Sequence, residues 1–196
     1  TTGTLGVANG GTGLTSGTTD QFLKFTGSTT MASAADNSGI TFAQTWRLST
    51  NFSGSQSPIN ANLKVSDTSG YATLGTGTMT ESSGVFTFPS TGIYYIVFTC
   101  ELFDSSNTSR YNNCWIQTTV DNGSNWIETA KGTPAITNIV SSSTHTGIVT
   151  SCIFDVTDTT QRKVRFASEP QNSSTNTYGD SQRNFTHFQF IRLGDT

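Results

Sequence analysis

Residues 84–102 read GVFTFPSTGIYYIVFTCEL and form the longest apolar stretch of the chain. β-Branched and aromatic residues on both sides of Pro89 predict two strands, because such residues favour strands, proline ends the first of them and Gly92 permits the turn. Alternate residues of the second strand point to opposite faces, and both faces carry apolar side chains. Such a strand needs a cover on each face: the core of its own domain on one side and, most simply, a neighbouring subunit on the other.

The same stretch carries a family resemblance. Residues 84–95 follow the order G-x-F-x-F-P-x-x-G-x-Y-Y, which resembles the signature of the complement globular-head and tumour-necrosis-factor-like jelly rolls. The likeness extends from about Trp46 to Leu193, and the closing segment Phe185–Phe190 resembles the last strand of that family. The resemblance implies compact homotrimers, but it says little about activity, because such folds host many functions.

We therefore expect an all-β fold over residues 41–196: a trimeric jelly-roll β-sandwich of about ten antiparallel strands. No stretch has the 3.6-residue period of an amphipathic helix. The expected strands are Trp46–Leu48, Asn62–Ser66, Tyr71–Leu74, Gly84–Phe88, Ile93–Phe103, Tyr111–Val120, Asn125–Ala130, Thr144–Val156, Arg162–Ser168 and Asn184–Leu193.

The trimer interface is expected on the second apolar face of two strands, because one sandwich core cannot cover both faces. In the closing strand, Phe188 and Phe190 share the core face. The expected interface residues are Tyr95, Val97, Phe185, Ile191 and Leu193.

Composition excludes two classes of partner. Charged residues make up 12% of the chain and the net charge is -3, which does not fit the basic footprint of a nucleic-acid-binding protein. No apolar run approaches the roughly 20 residues of a membrane helix, and nothing at Thr1 resembles a signal peptide. We expect neither nucleic-acid binding nor membrane insertion.

The three cysteines, Cys100, Cys114 and Cys152, lie in strand-like runs, and an odd number cannot pair fully within one chain. We interpret them as buried free thiols, with a Cys100–Cys152 bond between neighbouring strands as the alternative. Free thiols are consistent with assembly in a reducing cytoplasm.

Residues 1–40 contain too few large apolar side chains to form a core of their own. Residues 3–15 read GTLGVANGGTGLT and resemble an element of bacteriophage tail-fibre shafts, which implies a trimeric shaft; a flexible linker is the alternative. A phosphate-binding loop does not fit, because no Gly-Lys-Ser/Thr follows. The shared seam of such a shaft would consist of Leu5, Val7, Leu14, Phe22, Leu23 and Phe25.

Catalytic and metal-binding patterns are weak. His145 and His187 are the only histidines and lie far apart in the sequence, and no G-x-S-x-G motif occurs. Asp104, Asp180 and Asp195 are candidate Ca²⁺ ligands, but no D-x-D-x-D-G loop supports them. We expect no cofactor and no enzymatic activity.

Two tyrosines stand among short polar residues, Tyr111 after the segment 104–110 and Tyr178 within 171–180. An aromatic ring beside amides and hydroxyls can stack on a sugar, although an ordinary solvated loop explains the same pattern. Counting strand directions places loops 104–110, 131–143 and 169–183 at one end of the sandwich. The expected ligand-binding residues there are Asn107, Arg110, Tyr111, Asn176 and Tyr178.

The leading functional hypothesis is a trimeric fibre tip of a bacteriophage or similar virion. It would attach to a host-surface glycan or protein through the distal loops and join other tail or fibre proteins through the shaft. A trimerisation cap or virion decoration without its own receptor is the second hypothesis. A polysaccharide-degrading enzyme is the third.

Overall fold

The computed structural model describes residues 21–28, 30–34, 39–138 and 142–196. They belong to two units divided between Gly39 and Ile40, which are taken separately below. The described residues contain fourteen strands and no helix. No helix long and apolar enough to cross a membrane occurs in this part of the chain.

The first unit contains an antiparallel hairpin of β1 (Phe22–Phe25) and β2 (Met31–Ala34). The aromatic and leucine side chains of β1 are exposed. Leu5, Val7, Leu14 and the shaft-like segment 3–15 lie outside the described residues, so the predicted seam stays a prediction.

The second unit is a two-layer antiparallel sandwich, as the strand pattern predicts. Its strands are β3 (Phe42–Leu48), β4 (Phe52–Ser53), β5 (Leu63–Val65), β6 (Thr80–Ser82), β7 (Val85–Thr87), β8 (Gly92–Asp104), β9 (Asn112–Thr119), β10 (Ile127–Gly132), β11 (Thr144–Val156), β12 (Lys163–Pro170), β13 (Asn176–Thr177) and β14 (His187–Gly194). One sheet has five strands in the order β10-β9-β12-β7-β6. The other has seven, in the order β4-β13-β8-β14-β3-β5, with β11 paired to the opposite edge of β8.

The core between the sheets is built mainly from aromatic rings. Phe86 of β7 lies at its centre, with ring centroids 5.3 Å from Trp46, 5.6 Å from Phe166 and 5.3 Å from Phe190. Fully buried side chains of this size dominate core stability, because each removes a large apolar area from water. The core therefore joins β7 and β12 of one sheet to β3 and β14 of the other.

The alternation predicted for the stretch that decides the fold is confirmed. Tyr94, Ile96, Phe98, Cys100 and Leu102 of β8 are fully buried in the core. The residues between them point away from the core, because successive side chains of a strand alternate between faces. In β14, Phe188 and Phe190 are likewise fully buried.

The predicted turn at residues 121–124 is also confirmed. Asn122 and Gly123 have φ values of 55° and 89°, as a type I′ turn requires at both central positions. The turn connects β9 to β10, which pair antiparallel.

Three predictions from the sequence are wrong in detail. Residues 71–74 do not form a strand: only Leu74 pairs with the sheet, through a single bridge to Ala43. Strands β4, β6 and β13 were not expected, because strands of two or three residues are too short to show alternation. The strand predicted over Tyr111–Val120 ends at Thr119, which leaves Val120 outside it and exposed.

The cysteines are free thiols, as interpreted from their number and positions. Cys100 and Cys114 are buried as expected, whereas Cys152 is only partly buried. Cys100 is opposite Ile148 and Cys152 is opposite Ile96, four residues apart along the β8–β11 pair. At about 3.3 Å per residue this separation exceeds the roughly 7 Å over which two Cα atoms can be bridged. The alternative Cys100–Cys152 bond is therefore wrong for this register.

Candidate functional site

One end of the sandwich is organised by Asp104, the last residue of β8. Its carboxylate is buried and accepts four hydrogen bonds, from the backbone N–H groups of Ser106 and Asn107 at 2.8 and 2.9 Å and from the hydroxyls of Ser174 and Thr175 at 2.7 and 2.9 Å. Burial opposes ionisation, but these hydrogen bonds outweigh it and lower the pKa of Asp104. A single ionised side chain thus joins the loop after β8 to the loop before β13.

The third long loop joins the same end. Ser109 and Ile136 exchange two backbone hydrogen bonds, at 2.8 and 3.0 Å, and the Asn112 amide donates to the Pro134 carbonyl at 3.1 Å. The Asn172 amide donates to the Thr108 carbonyl at 2.9 Å. The loops 104–110, 131–143 and 169–183, which strand directions place together, are therefore bonded to one another. We call this end of the sandwich the loop end.

Between these loops lies a pocket of about 370 Å³. It is lined by Thr108, Ser109, Arg110, Ile136, Thr137 and Gln171. Gln171 accepts a hydrogen bond from the Arg110 backbone N–H at 2.8 Å, which fixes the wall of the pocket. The Arg110 guanidinium makes no hydrogen bond or ion pair with the described residues, and the neighbouring Tyr111 is 43% exposed. Hydroxyl, amide, guanidinium and aromatic groups together suit a polar, hydroxyl-rich ligand such as a sugar.

The predicted ligand-binding residues do not form one surface. Asn107, Arg110 and Tyr111 lie at the loop end, where the Asn107 amide donates to the Ser174 hydroxyl at 2.9 Å. Asn176 lies in β13, and its side-chain amide bonds to Ser53 and to the Ser174 carbonyl. The expectation that Asn176 stands in an open loop is corrected, because residues 176–177 pair with β4 and β8.

Tyr178 lies elsewhere, in an aromatic cluster on the outward face of the seven-stranded sheet. Its ring stacks on Phe185 with centroids 4.3 Å apart and meets Phe103 edge-on at 5.4 Å. The ordinary solvated loop given as the alternative for Tyr178 is therefore wrong, because its polar neighbours in the sequence are not its neighbours in space. Ligand binding by Tyr178 stays a prediction.

The same cluster contains a histidine–carboxyl contact that sequence reasoning missed. The His145 ring stacks on Phe103 at 5.3 Å, and its Nδ1 lies 3.3 Å from Oε1 of Glu101. Gly147 is opposite Glu101, and a Cβ there would lie 2.5 Å from Oε2, so the missing side chain leaves room for the carboxylate. Burial raises the pKa of Glu101, while His145 opposes that shift. Only strand register brings these residues together.

A row of apolar side chains crosses the outward face of the seven-stranded sheet. Tyr95 lies between Ile153 on β11 and Ile191 on β14. Ile153 is 66% exposed and Val149, further along β11, is 62% exposed. Of the predicted interface residues, Tyr95, Val97 and Ile191 lie on this face, although Val97 is only 8% exposed. Phe185 stacks on Tyr178, and Leu193 falls at the register shift between Arg192 and Gly194. Val149 and Ile153 were missed as interface candidates, although the alternation of β11 already places them opposite its core-facing residues.

The three candidate Ca²⁺ ligands have other partners. Asp104 is bonded as described, Asp180 accepts from the backbone N–H groups of Gln182 and Arg183 at 2.7 Å each, and Asp195 pairs with Arg192. Among the described residues, no group of three or more His, Cys, Asp or Glu side chains could hold a metal ion.

No family model matches the chain, and no curated protein matches it. Solved structures do. Murine APRIL, crystallised at pH 5.0, gives a TM-score of 0.52 at 9% identity, over 78% of this chain and 98% of that chain. The Eiger TNF of S. frugiperda gives 0.52 at 12% identity, over 80% and 95%.

The fold is a tumour-necrosis-factor-like jelly roll. At 9–12% identity the likeness establishes the fold alone. It agrees with the all-β, antiparallel architecture, and it leaves the function to be argued from the surfaces of this chain.

Proposed function

We propose that this chain is the trimeric tip of a virion fibre and attaches the particle to a carbohydrate on a host surface. The observation that carries this proposal is the loop end, where three loops are bonded together near Asp104. There the Arg110 guanidinium makes no hydrogen bond or ion pair with the described residues, and Tyr111 is 43% exposed. A fixed scaffold that presents free polar and aromatic groups is typical of a binding site.

In this proposal the subunits of the trimer contact one another through the outward face of the seven-stranded sheet. The row of Ile153, Tyr95 and Ile191 is apolar throughout, and exposed Val149 adds a further apolar side chain to the same face, in a row that it shares with Thr99. Soluble monomers rarely expose such surfaces, and a threefold assembly would cover this one three times. It would also present the loop pocket three times, so that weak individual sites bind jointly.

The link to a virion fibre rests on the sequence. Residues 3–15 resemble tail-fibre shafts, and a shaft of three chains fits a trimeric tip. Other tail or fibre proteins would be its further partners, and the virion its location. The domain acts in this scheme as a binding module and not as an enzyme.

A second candidate function is a trimerisation cap or virion decoration without a receptor of its own. The apolar sheet face favours it, because that face accounts for assembly without using the loop end.

A glycan-binding screen of the full chain separates the two functions. If the loop end binds, Arg110→Ala and Tyr111→Ala should each lose most of the binding and leave the trimer intact. Arg162→Ala is the matched control, because it removes the same charge from the turn at the opposite end of the sandwich, between β11 and β12. Binding that all three variants retain, or a wild type that binds no host surface component, would favour the structural cap.

A further inference from the structure

A second polar pocket lies at the edge of the seven-stranded sheet, away from the three loops. It has a volume of about 490 Å³ and opens between the segment after β5 and the segment before β14. Its lining is polar throughout: Lys64, Asp67, Thr68, Ser181 and Gln182.

Beneath this pocket is a fully buried cation. Arg47 of β3 lies opposite Lys64 of β5 and His187 of β14, on the sheet face turned away from the core, and none of its surface is exposed. Its Nη1 donates to the Thr68 hydroxyl at 2.9 Å and to the Ser181 carbonyl at 3.1 Å, and both of those residues line the pocket.

Of the other two guanidinium nitrogens, Nε donates to the Ser66 hydroxyl at 3.3 Å, and the group lies 5.4 Å from the centre of the Tyr71 ring. The second terminal nitrogen, Nη2, is not satisfied. Nη2 of Arg47 has no hydrogen-bond partner among the described residues, and its closest anionic atom is Oδ1 of Asp67 at 4.0 Å. That distance is too long for a hydrogen bond. A buried charged donor without an acceptor is unfavourable, so this position favours an anion that approaches more closely.

Asp67 shows which anion suits the position. Its carboxylate lies 3.0 and 3.1 Å from Nζ of Lys64 and faces Nη2 of Arg47, yet its side chain is 62% exposed. The hydrogen bond from Lys64 lowers the pKa of Asp67, and the charge of Arg47 acts in the same direction. Asp67 pairs closely with Lys64 but lies 4.0 Å from Nη2 of Arg47, and such an exposed internal carboxylate can be displaced by an external one.

The charges and hydroxyls define the ligand further. Arg47 and Lys64 outweigh Asp67 by one positive charge, while nearby Asp180 is offset by Arg183, 3.7 Å away. Thr68, Ser181 and Gln182 place hydroxyl and amide groups around the opening. Such groups suit the hydroxyls of a sugar ring.

We propose that this pocket binds an acidic sugar, with the sugar carboxylate between Lys64 and the free Nη2 of Arg47 in place of Asp67 and the sugar hydroxyls on Thr68, Ser181 and Gln182. The site is separate from the loop pocket and does not depend on the fibre-tip proposal, so either can fail without the other.

The test measures binding of D-glucuronate to the full chain by saturation-transfer NMR, with D-glucose as the uncharged counterpart and acetate as the carboxylate alone. Lys64→Gln should weaken glucuronate binding about fivefold and Asp67→Asn should strengthen it about fivefold, since one unit charge at ~4 Å in water corresponds to roughly that factor. Lys131→Gln is the matched control: it removes the same charge from the other sheet, where Lys131 lies over the Trp115 ring.

Unchanged affinity in Lys64→Gln, or no gain in Asp67→Asn, would overturn the carboxylate position. Equal binding of acetate and glucuronate would overturn the sugar assignment. Absence of glucuronate binding, together with dissociation of the assembly in Lys64→Gln, would instead assign the pocket to a subunit contact. Lys64 and Asp67 are replaced instead of Arg47 because Arg47 is fully buried, so that its replacement would affect folding as well as binding.

Discussion

Ile153 of β11 lies directly opposite Tyr95 of β8 on the face of the seven-stranded sheet that is turned away from the core. Tyr95 also lies opposite Ile191 of β14, so the three side chains form one row across three strands. Ile153, at the β11 end of this row, is 66% exposed. The row is the part of the apolar face that a neighbouring subunit would cover.

Ile153→Glu should therefore dissociate the proposed trimer while each subunit stays folded. A carboxylate placed in an apolar interface loses its hydration without gaining a partner. Ile127→Glu is the matched control, because Ile127 is 60% exposed on β10 of the other sheet. Light scattering measures the number of subunits in the assembly, and circular dichroism shows whether each subunit is folded. A wild-type chain that is monomeric at micromolar concentration would contradict the trimer itself.

Phe86→Ala should destabilise the sandwich by about 3–5 kcal/mol, the usual range for truncating a buried phenylalanine. Phe86 contacts rings from both sheets, so the cavity would lie at the centre of the core. Ile127→Ala should change the free energy of unfolding by no more than about 0.5 kcal/mol, since that side chain is exposed. Denaturant unfolding at one fixed protein concentration compares them, and equal midpoints would refute this view of the core.

The sandwich could be predicted from the sequence because its long strands alternate in hydrophobicity. The alternation of β8, β11 and β14 separates core-facing residues such as Phe98, Cys152 and Phe188 from outward ones. The turn could also be predicted, because Asn122 and Gly123 are residue types that readily adopt positive φ values. Hydrophobic alternation and turn residues were sufficient here because both are patterns of consecutive residues.

The candidate sites could be predicted only in part, because they depend on register and on loop closure. His145 meets Glu101 across two strands, and Asp104 meets Thr175 across 71 residues of sequence. The residues next to Arg47 in the sequence do not indicate that its charge is buried. Its partners Thr68 and Ser181 lie 21 and 134 residues further along the chain. The spacing of residues in a single sequence does not predict contacts of this kind, because they depend on the tertiary structure.

The thiols should resist modification in the native protein. Cys100 and Cys114 are fully buried, and burial raises the pKa of Cys100 well above its usual range and that of Cys152 to about 11. The reactive thiolate of Cys100 and of Cys152 is therefore scarce at pH 8. Labelling with a thiol reagent should be slow in buffer and rapid in denaturant. Rapid labelling of Cys100 or Cys114 in the folded protein would contradict their placement.

His187 should make the sandwich less stable in mild acid. Burial lowers the pKa of His187, and its strand neighbours on this face are Arg47 and Thr99. Because the unfolded chain takes up a proton near pH 6.5 and the folded chain only at lower pH, stability falls as pH falls from about 7 through the folded pKa. The slope from this one proton is at most about 1.4 kcal/mol per pH unit.

His187→Gln removes this proton, and the variant should show a shallower loss of stability than wild type between pH 7 and 5. Protonation of Glu101 acts in the opposite direction, because burial raises its pKa, but it is common to both proteins. Parallel melting-temperature profiles of the two proteins would contradict the assignment to His187.

Asp104→Asn should loosen the loop end more than any other single carboxylate change there. The substitution removes the charge that four donors share, and a hydrogen bond to a charged group is worth about 1.5–3 kcal/mol. Asp158→Asn is the matched control, since Asp158 caps the exposed turn at the opposite end, where it accepts from Thr160, and a smaller loss is expected there.

The two readouts for Asp104→Asn are denaturant unfolding and amide hydrogen exchange at Ser106 and Asn107, whose N–H groups donate to this carboxylate. Because the folded pKa of Asp104 is lowered, its contribution is present above the unfolded value of about 3.8 and is lost as pH falls through the folded value. The stability gap between wild type and Asp104→Asn should therefore be full at pH 6 and should narrow below about pH 4. A gap that stays constant to pH 2, or unchanged exchange at both amides, would show that the charge of Asp104 does not hold the loops together.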